Sequence, residues 1–162
     1  MQILIFTGTP GTGKTFVAKK LASKFKFKYI SIDEIVKDYK LSEKYDRKLK
    51  TKIVDVKKLS KACIDLIKKS KENLIIDGHL SHYIPSKYVD LCIITKCDLR
   101  VLDKRLVKKG YTKIKIRENL DAEIFDMCLI DALENKHQTL IVDTTSGFNL
   151  NKLVKQVRER LK

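Results

Sequence analysis

Tryptophan is absent from the 162-residue chain, and proline occurs only at Pro10 and Pro85. Glutamine is almost missing too, at Gln2, Gln138 and Gln156 alone. No apolar run approaches the roughly 20 residues of a membrane span, which excludes a transmembrane helix and a membrane partner of that kind. The first residues read as a core strand rather than a signal peptide, so the expected location is cytoplasmic. Nothing in the composition marks a repeat, a low-complexity segment or a linker. Cys63, Cys92, Cys97 and Cys128 sit inside apolar patterns without paired metal spacing, and they read as small buried thiols rather than disulfides or metal ligands. Acids are the other shortage: 20 Asp+Glu face 35 Lys+Arg, for a net charge of +15. A lysine-rich, glutamine-poor chain fits a thermophile. Such a surface either attracts polyanions, nucleotides and RNA among them, or is simply a solvated lysine coat.

What the chain does have begins at once. Gly8-Thr9-Pro10-Gly11-Thr12-Gly13-Lys14-Thr15 follows the apolar run Ile3-Leu4-Ile5-Phe6. It precedes a helical pattern through Val17-Ala18, Leu21-Ala22 and Phe25. Strand, glycine loop and helix in that order match GxxxxGK[ST], a phosphate-binding loop. The loop's backbone N–H groups wrap a phosphate chain at the positive end of the helix dipole. Gly11 and Gly13 supply conformational freedom and close approach. Lys14 reaches toward the β and γ phosphates, the Thr15 hydroxyl ligates Mg²⁺, and the Phe16 N–H joins the ATP-binding set.

Strands and helices alternate through the rest. Apolar strands are expected at Ile3–Phe6, Tyr29–Ile32, Leu74–Asp77, Tyr88–Ile94 and Leu140–Val142. Helices are expected from Val56, from Leu99 to Lys108, from about Lys113 to Asn135, and from Leu150. Asp33-Glu34 is expected to cap a short helical piece running to about Tyr39. Five such strands specify an α/β fold: one domain over 1–162 with a five-stranded parallel sheet and helices on both faces. Two irregular stretches, 33–54 and 108–118, interrupt it as insertions. Ligands in such sheets bind beyond the carboxyl ends of the strands.

Asp77 ends one of these strands, where the acid that holds Mg²⁺ or its water shell belongs; Asp143 is its rival at the end of the last. His79, two residues past Asp77, either binds a phosphate or positions a water, or is only a polar loop residue. His82 is a weaker candidate, and His137 reads as structural.

Together, the glycine loop, Asp77-Gly78-His79, Arg105-Leu106-Val107-Lys108-Lys109-Gly110-Tyr111 and Glu118-Asn119-Leu120-Asp121-Ala122-Glu123-Ile124-Phe125 resemble the adenylate kinase isoenzyme 6 family. That family includes the coilin-interacting nuclear ATPase and archaeal adenylate kinase homologues, and the resemblance spans nearly the whole chain. It implies a P-loop kinase core with a small monophosphate-binding insertion at 33–54 and a short lid at 108–118. It implies the reaction ATP + AMP to two ADP, with Mg²⁺ as cofactor and a slower ATPase activity. A role in maturing the small ribosomal subunit is also implied, with a small-subunit ribosomal protein and rRNA as partners.

Against that family pattern, Lys14, Asp77, His79 and Arg105 are the expected catalytic set, with Thr15 and Asp77 at the metal. Asp33 and Lys37 are expected at the monophosphate, and Lys109 at ATP. Lys37 and Lys109 stand where relatives usually carry arginine, and a lysine lacks the bidentate guanidinium fork. Asn119 and Glu123, four apart on one helix face, either orient lid residues or pair with nearby lysines. The segment 37–71 carries 13 Lys+Arg against 5 Asp+Glu. That excess either draws in AMP or contacts RNA.

Overall fold

A computed structural model describes residues 1–49 and 51–161. The central sheet holds β1 (Ile3–Thr7), β2 (Lys28–Ser31), β5 (Leu74–Asp77), β6 (Leu91–Lys96) and β7 (Thr139–Asp143). Their order across the sheet is β2-β5-β1-β6-β7, and every pair is parallel. Alternation along each strand explains the layers. Ile3 and Ile5, Leu74 and Ile76, and Cys92 and Ile94 face one side, where α2 (Ile32–Asp38) and α3 (Val56–Lys69) cover them. Leu4 and Phe6, Ile75, and Leu91 and Ile93 face the other, under α1 (Lys14–Phe25) and α7 (Leu150–Arg160). Strands buried on both faces read as continuous apolar runs, which is why the sequence marks them so plainly. Truncating such a buried Leu or Ile to Ala typically costs about 2–5 kcal/mol.

Three local expectations are corrected. The polar stretch in 40–54 contains an antiparallel hairpin, β3 (Ser42–Asp46) and β4 (Thr51–Val54). Because it is solvated, it carries no apolar alternation to announce it. The expected long helix from Lys113 is two helices, α5 (Lys113–Ile124) and α6 (Met127–Glu134). Asp126 breaks it with φ 51, a left-handed conformation that Asp tolerates better than most residues, and its carboxylate pairs with Lys96. The cap of α2 is Ser31 rather than Asp33-Glu34: Ser31 Oγ accepts from Glu34 N, and Glu34 reaches back to Ser31 N. Among the described residues no helix is long and apolar enough to cross a membrane. The four cysteines are free, three of them buried and Cys128 half-buried.

Parallel register sets the site. Phe6 pairs with Asp77, and Ser31 pairs with Asp77 from the other side. The loops after β1, β5 and β2 therefore leave the sheet side by side. Beside them, α4 (Leu99–Lys108) packs on α5 through Leu102, Leu106, Ile116 and Leu120.

Candidate active site

The loop from Gly8 to Gly13 leaves β1 and delivers the chain into α1. Helices α2, α3, α4, α5 and α7 each begin with a side chain that caps their first N–H groups. Helix α1 does not: Gly13 stands at its N-cap with φ 86, and no acid lies in its first turn. Its leading N–H groups thus have no side-chain cap among the described residues, the arrangement an anion completes. A Cβ at Gly13 would find space, with Thr144 Oγ1 at 3.7 Å, so the positive φ is what requires glycine there. At Gly11 space is short as well, because a Cβ would sit 2.9 Å from Leu102 Cδ1.

The loop's shape is held by buried threonines. Thr12 Oγ1 donates to the Thr9 carbonyl at 2.7 Å and lies 2.7 Å from Thr95 Oγ1. Thr144 Oγ1, beyond β7, donates to the Thr12 carbonyl at 2.6 Å. Lys14 Nζ donates to the Thr9 carbonyl at 3.3 Å, folded back over the loop it serves. Burial pushes its ammonium below the usual lysine range, and the nearby Asp77 charge opposes that shift.

Thr15 Oγ1 donates to Asp77 Oδ2 at 2.6 Å, and the Tyr29 hydroxyl donates to the same oxygen at 2.9 Å. Burial raises the Tyr29 phenol, with the Asp77 hydrogen bond as the next cause, so it stays a donor. Asp77 is 4% exposed, and its other oxygen, Oδ1, is buried with no hydrogen-bond partner among the described residues. A buried carboxylate oxygen left over beside a hydroxyl is a hard, oxygen-only donor pair, of the kind that fits Mg²⁺. Asp143, the rival acid, is exposed and accepts from Thr145 N at 2.8 Å, shaping its own loop.

The cleft itself has a volume of about 870 Å³. Gly11, Gly13, Lys14, Thr15, Phe16, Asp77 and His79 line its base. Asp33, Leu49 and Thr51 form one wall; Lys109, Tyr111, Lys115 and Asn119 form the other. The His79 side chain is exposed to this open space while protein atoms crowd its ring. Desolvation, with the Lys14 charge behind it, lowers the imidazole to about 4. Solvent in the cleft moderates the burial, and the direction holds: His79 is neutral at pH 7. Phe16 is 62% exposed and meets Phe148 edge to face at 6.0 Å between centroids. Lys115 Nζ lies 4.1 Å from the Tyr111 ring centroid, a cation–π contact on the second wall.

The remaining expected residues fall in three places. Asp33 and Lys109 line the cleft. Lys37 is exposed one turn along α2 from Asp33, on the same helix face. Arg105 lies at the loop's back: it donates to the Thr144 carbonyl at 2.7 Å, to Thr144 Oγ1 at 3.2 Å and to the Gly11 carbonyl at 3.4 Å. His82 is buried, with Nδ1 2.7 Å from Thr7 Oγ1, and its carbonyl receives His137 Nε2 at 2.9 Å. Both histidines are thus framework, bracing the end of β1. Tyr29 and Thr144 join the site without a motif to mark them, while Thr9 belongs to the glycine loop itself. Asn119 donates to the Lys115 carbonyl at 2.7 Å, and Glu123 turns inward rather than to a lysine.

Comparisons with known proteins identify the family. A family model described as an AAA domain matches residues 4–126. A Methanocaldococcus jannaschii protein named "Putative adenylate kinase" is 38% identical over 162 residues, covering 100% of this chain and 86% of that one. "Adenylate kinase isoenzyme 6 homolog FAP7" of Saccharomyces cerevisiae is 38% identical over 144 residues, 88% of this chain and 72% of the yeast protein. A crystal structure described as a "putative kinase" from Chloroflexus aurantiacus superposes with a TM-score of 0.61 at 17% identity, covering 99% and 98% of the two chains. That last likeness speaks to the fold.

Proposed function

The chain belongs to the adenylate kinase isoenzyme 6 family, and from that premise we propose that it is a nucleoside-monophosphate kinase acting on ATP and AMP, with slow ATP hydrolysis as a side activity. The observation that carries the proposal is the cleft: one phosphate loop at its base, with walls on either side. The span 33–54 serves as the monophosphate side and 108–118 as the lid.

In this reading the backbone N–H groups from Gly11 to Phe16 hold the ATP phosphates, and Lys14 swings from the Thr9 carbonyl onto the β and γ oxygens. Thr15 and Asp77 would hold Mg²⁺, which would neutralise phosphate charge there. An α-phosphate oxygen of AMP attacks the γ-phosphorus in line. The bond from that phosphorus to the β–γ bridging oxygen breaks, and two ADP result. The nucleophile is already an anion, so no base is needed and the chemistry is positioning plus electrostatics. Asp33 and Lys37 are assigned to the AMP side; Lys109 approaches the transferring charge from the lid. Arg105 buttresses the loop through Gly11 and Thr144. Neutral His79 orients a water when AMP is absent.

A second reading is supported by the outward-facing charge of the 33–54 region. Lys44, Lys48 and Lys52 are absent from the cleft lining, so they exceed what one AMP phosphate requires. On that reading ATP hydrolysis drives a switch in small ribosomal subunit maturation in the cytoplasm, with a ribosomal protein and rRNA as partners.

A coupled assay of ADP formation with and without AMP tests the first reading. Strong AMP stimulation is expected; hydrolysis that AMP leaves unchanged would sink the kinase and leave the switch.

A further inference from the structure

We propose that Glu123 is a positioning residue that ties α5 to the phosphate loop and thereby sets the loop's grip on ATP. The inference rests on the kinase reading for its substrate but concerns a residue that no step of that reading uses. Glu123 is 7% exposed, in the last turn of α5. Both facts oppose an acid there: burial penalises the charge, and the negative end of the helix dipole repels it. What offsets them is a pair of donors from two different loops. Glu123 Oε2 accepts from Thr9 Oγ1 at 2.6 Å, across 114 residues of chain. Glu123 Oε1 accepts from Cys97 N at 3.2 Å, in the loop that follows β6.

Thr9 passes the constraint on. Its carbonyl is the common acceptor for Thr12 N at 3.2 Å, Thr12 Oγ1 at 2.7 Å and Lys14 Nζ at 3.3 Å. Fixing the Thr9 side chain therefore fixes the carbonyl that parks Lys14 and closes the turn. The same helix presents Lys115, Glu118, Asn119 and Ala122 to the cleft. A shift of α5 as the wall closes is thereby transmitted to the loop through one carboxylate. Only an acid satisfies both donors, since glutamine would turn an NH₂ toward one of them.

The test uses the full chain with Glu123→Gln, Thr9→Val, the double variant and Thr9→Ser. Binding of a non-hydrolysable ATP analogue with Mg²⁺ is measured by calorimetry, and KM for ATP and for AMP by the coupled assay. Glu123→Gln and Thr9→Val are each expected to weaken analogue binding and raise the ATP KM by about tenfold, the worth of a charge-assisted bond. The AMP KM stays unchanged, the double variant is no worse than either single, and Thr9→Ser behaves as the parent. Unchanged analogue affinity, additive losses, or an equal rise in both KM values would overturn the proposal. Analogue binding needs no turnover. A chain that binds the analogue through Glu123 yet shows no AMP stimulation refutes the kinase reading and leaves this inference standing.

Discussion

Thr15 and Asp77 lie 62 residues apart in the chain and meet through a 2.6 Å hydrogen bond, hydroxyl to carboxylate. The bond joins the first turn of α1 to the end of β5, and the parallel pairing of Phe6 with Asp77 is what brings the two within reach. One Asp77 oxygen takes both Thr15 and Tyr29, and the other is buried without a partner among the described residues.

Replacing Asp77 with Asn keeps the shape and removes the charge. The Mg²⁺ concentration required for half-maximal turnover is expected to rise by about 10–100-fold, the usual cost of disturbing a metal's surroundings. Titration of Mg²⁺ against ADP formation checks it. An unchanged requirement would remove Asp77 from the metal site.

Much of this site is legible in the sequence because its determinants are local. A glycine pattern between an apolar strand and an amphipathic helix needs no distant information. Asp77 is visible because Leu74-Ile75-Ile76 is buried on both faces and the acid closes the run. Glu123 is a different matter. It is one of several acids between Glu118 and Glu134, and only the packing of α5 beside the loop at Thr9 buries it. Tyr29 likewise becomes a site residue through strand register, which sets Ser31 beside Asp77. The β3–β4 hairpin escapes because most of its residues are exposed and only Val54 reaches the core. The break at Asp126 escapes because neither glycine nor proline marks it.

His82 gives the fold a pH dependence with a definite sign. Desolvation lowers its imidazole to about 4, against an ordinary value of 6.5. Asp131 Oδ2, 3.4 Å from Nε2, opposes that shift, and His137 adds to it. The unfolded chain therefore takes up the proton first as pH falls. Stability is full above about 6.5, declines between 6.5 and 4, and levels below. The loss from this one group is on the order of 3 kcal/mol. Urea denaturation of the parent and of His82→Asn at pH 7 and pH 5 checks it. A decline as steep in the variant as in the parent would assign the effect elsewhere.

The basic ribbon has its own test. Tyr45 is 58% exposed on β3, near Lys44 and Lys52, which pair across the hairpin with Ile53 and Tyr45. A single-stranded RNA that tracks the lysines and stacks a base on the tyrosine would bind with a steep inverse dependence on salt. Changing Lys44, Lys48 and Lys52 together to Glu is expected to abolish binding in an anisotropy assay while AMP phosphorylation persists. Binding insensitive to salt, or untouched by the triple change, would leave these lysines as a solvated coat.

Lys14 brings the loop's function into conflict with its stability. Its ammonium is held below the usual lysine range because burial outweighs the attraction of Asp77. A lysine whose folded value is depressed costs stability at any pH where it is charged, and the cost fades only as pH rises through that depressed value. Near neutral pH the parent therefore folds around this group at a loss, one that the half-buried side chain's exposure to the cleft reduces. Lys14→Ala should abolish AMP phosphorylation and hydrolysis alike, and at the same time raise Tm. Thermal unfolding beside the coupled assay reads both. A lower Tm would mean that the contacts to the Thr9 carbonyl and Asp77 outweigh the burial, and persisting turnover would refute the phosphate-loop assignment. The expected pairing of lost activity with gained stability marks a residue kept for its charge on phosphate rather than for the fold.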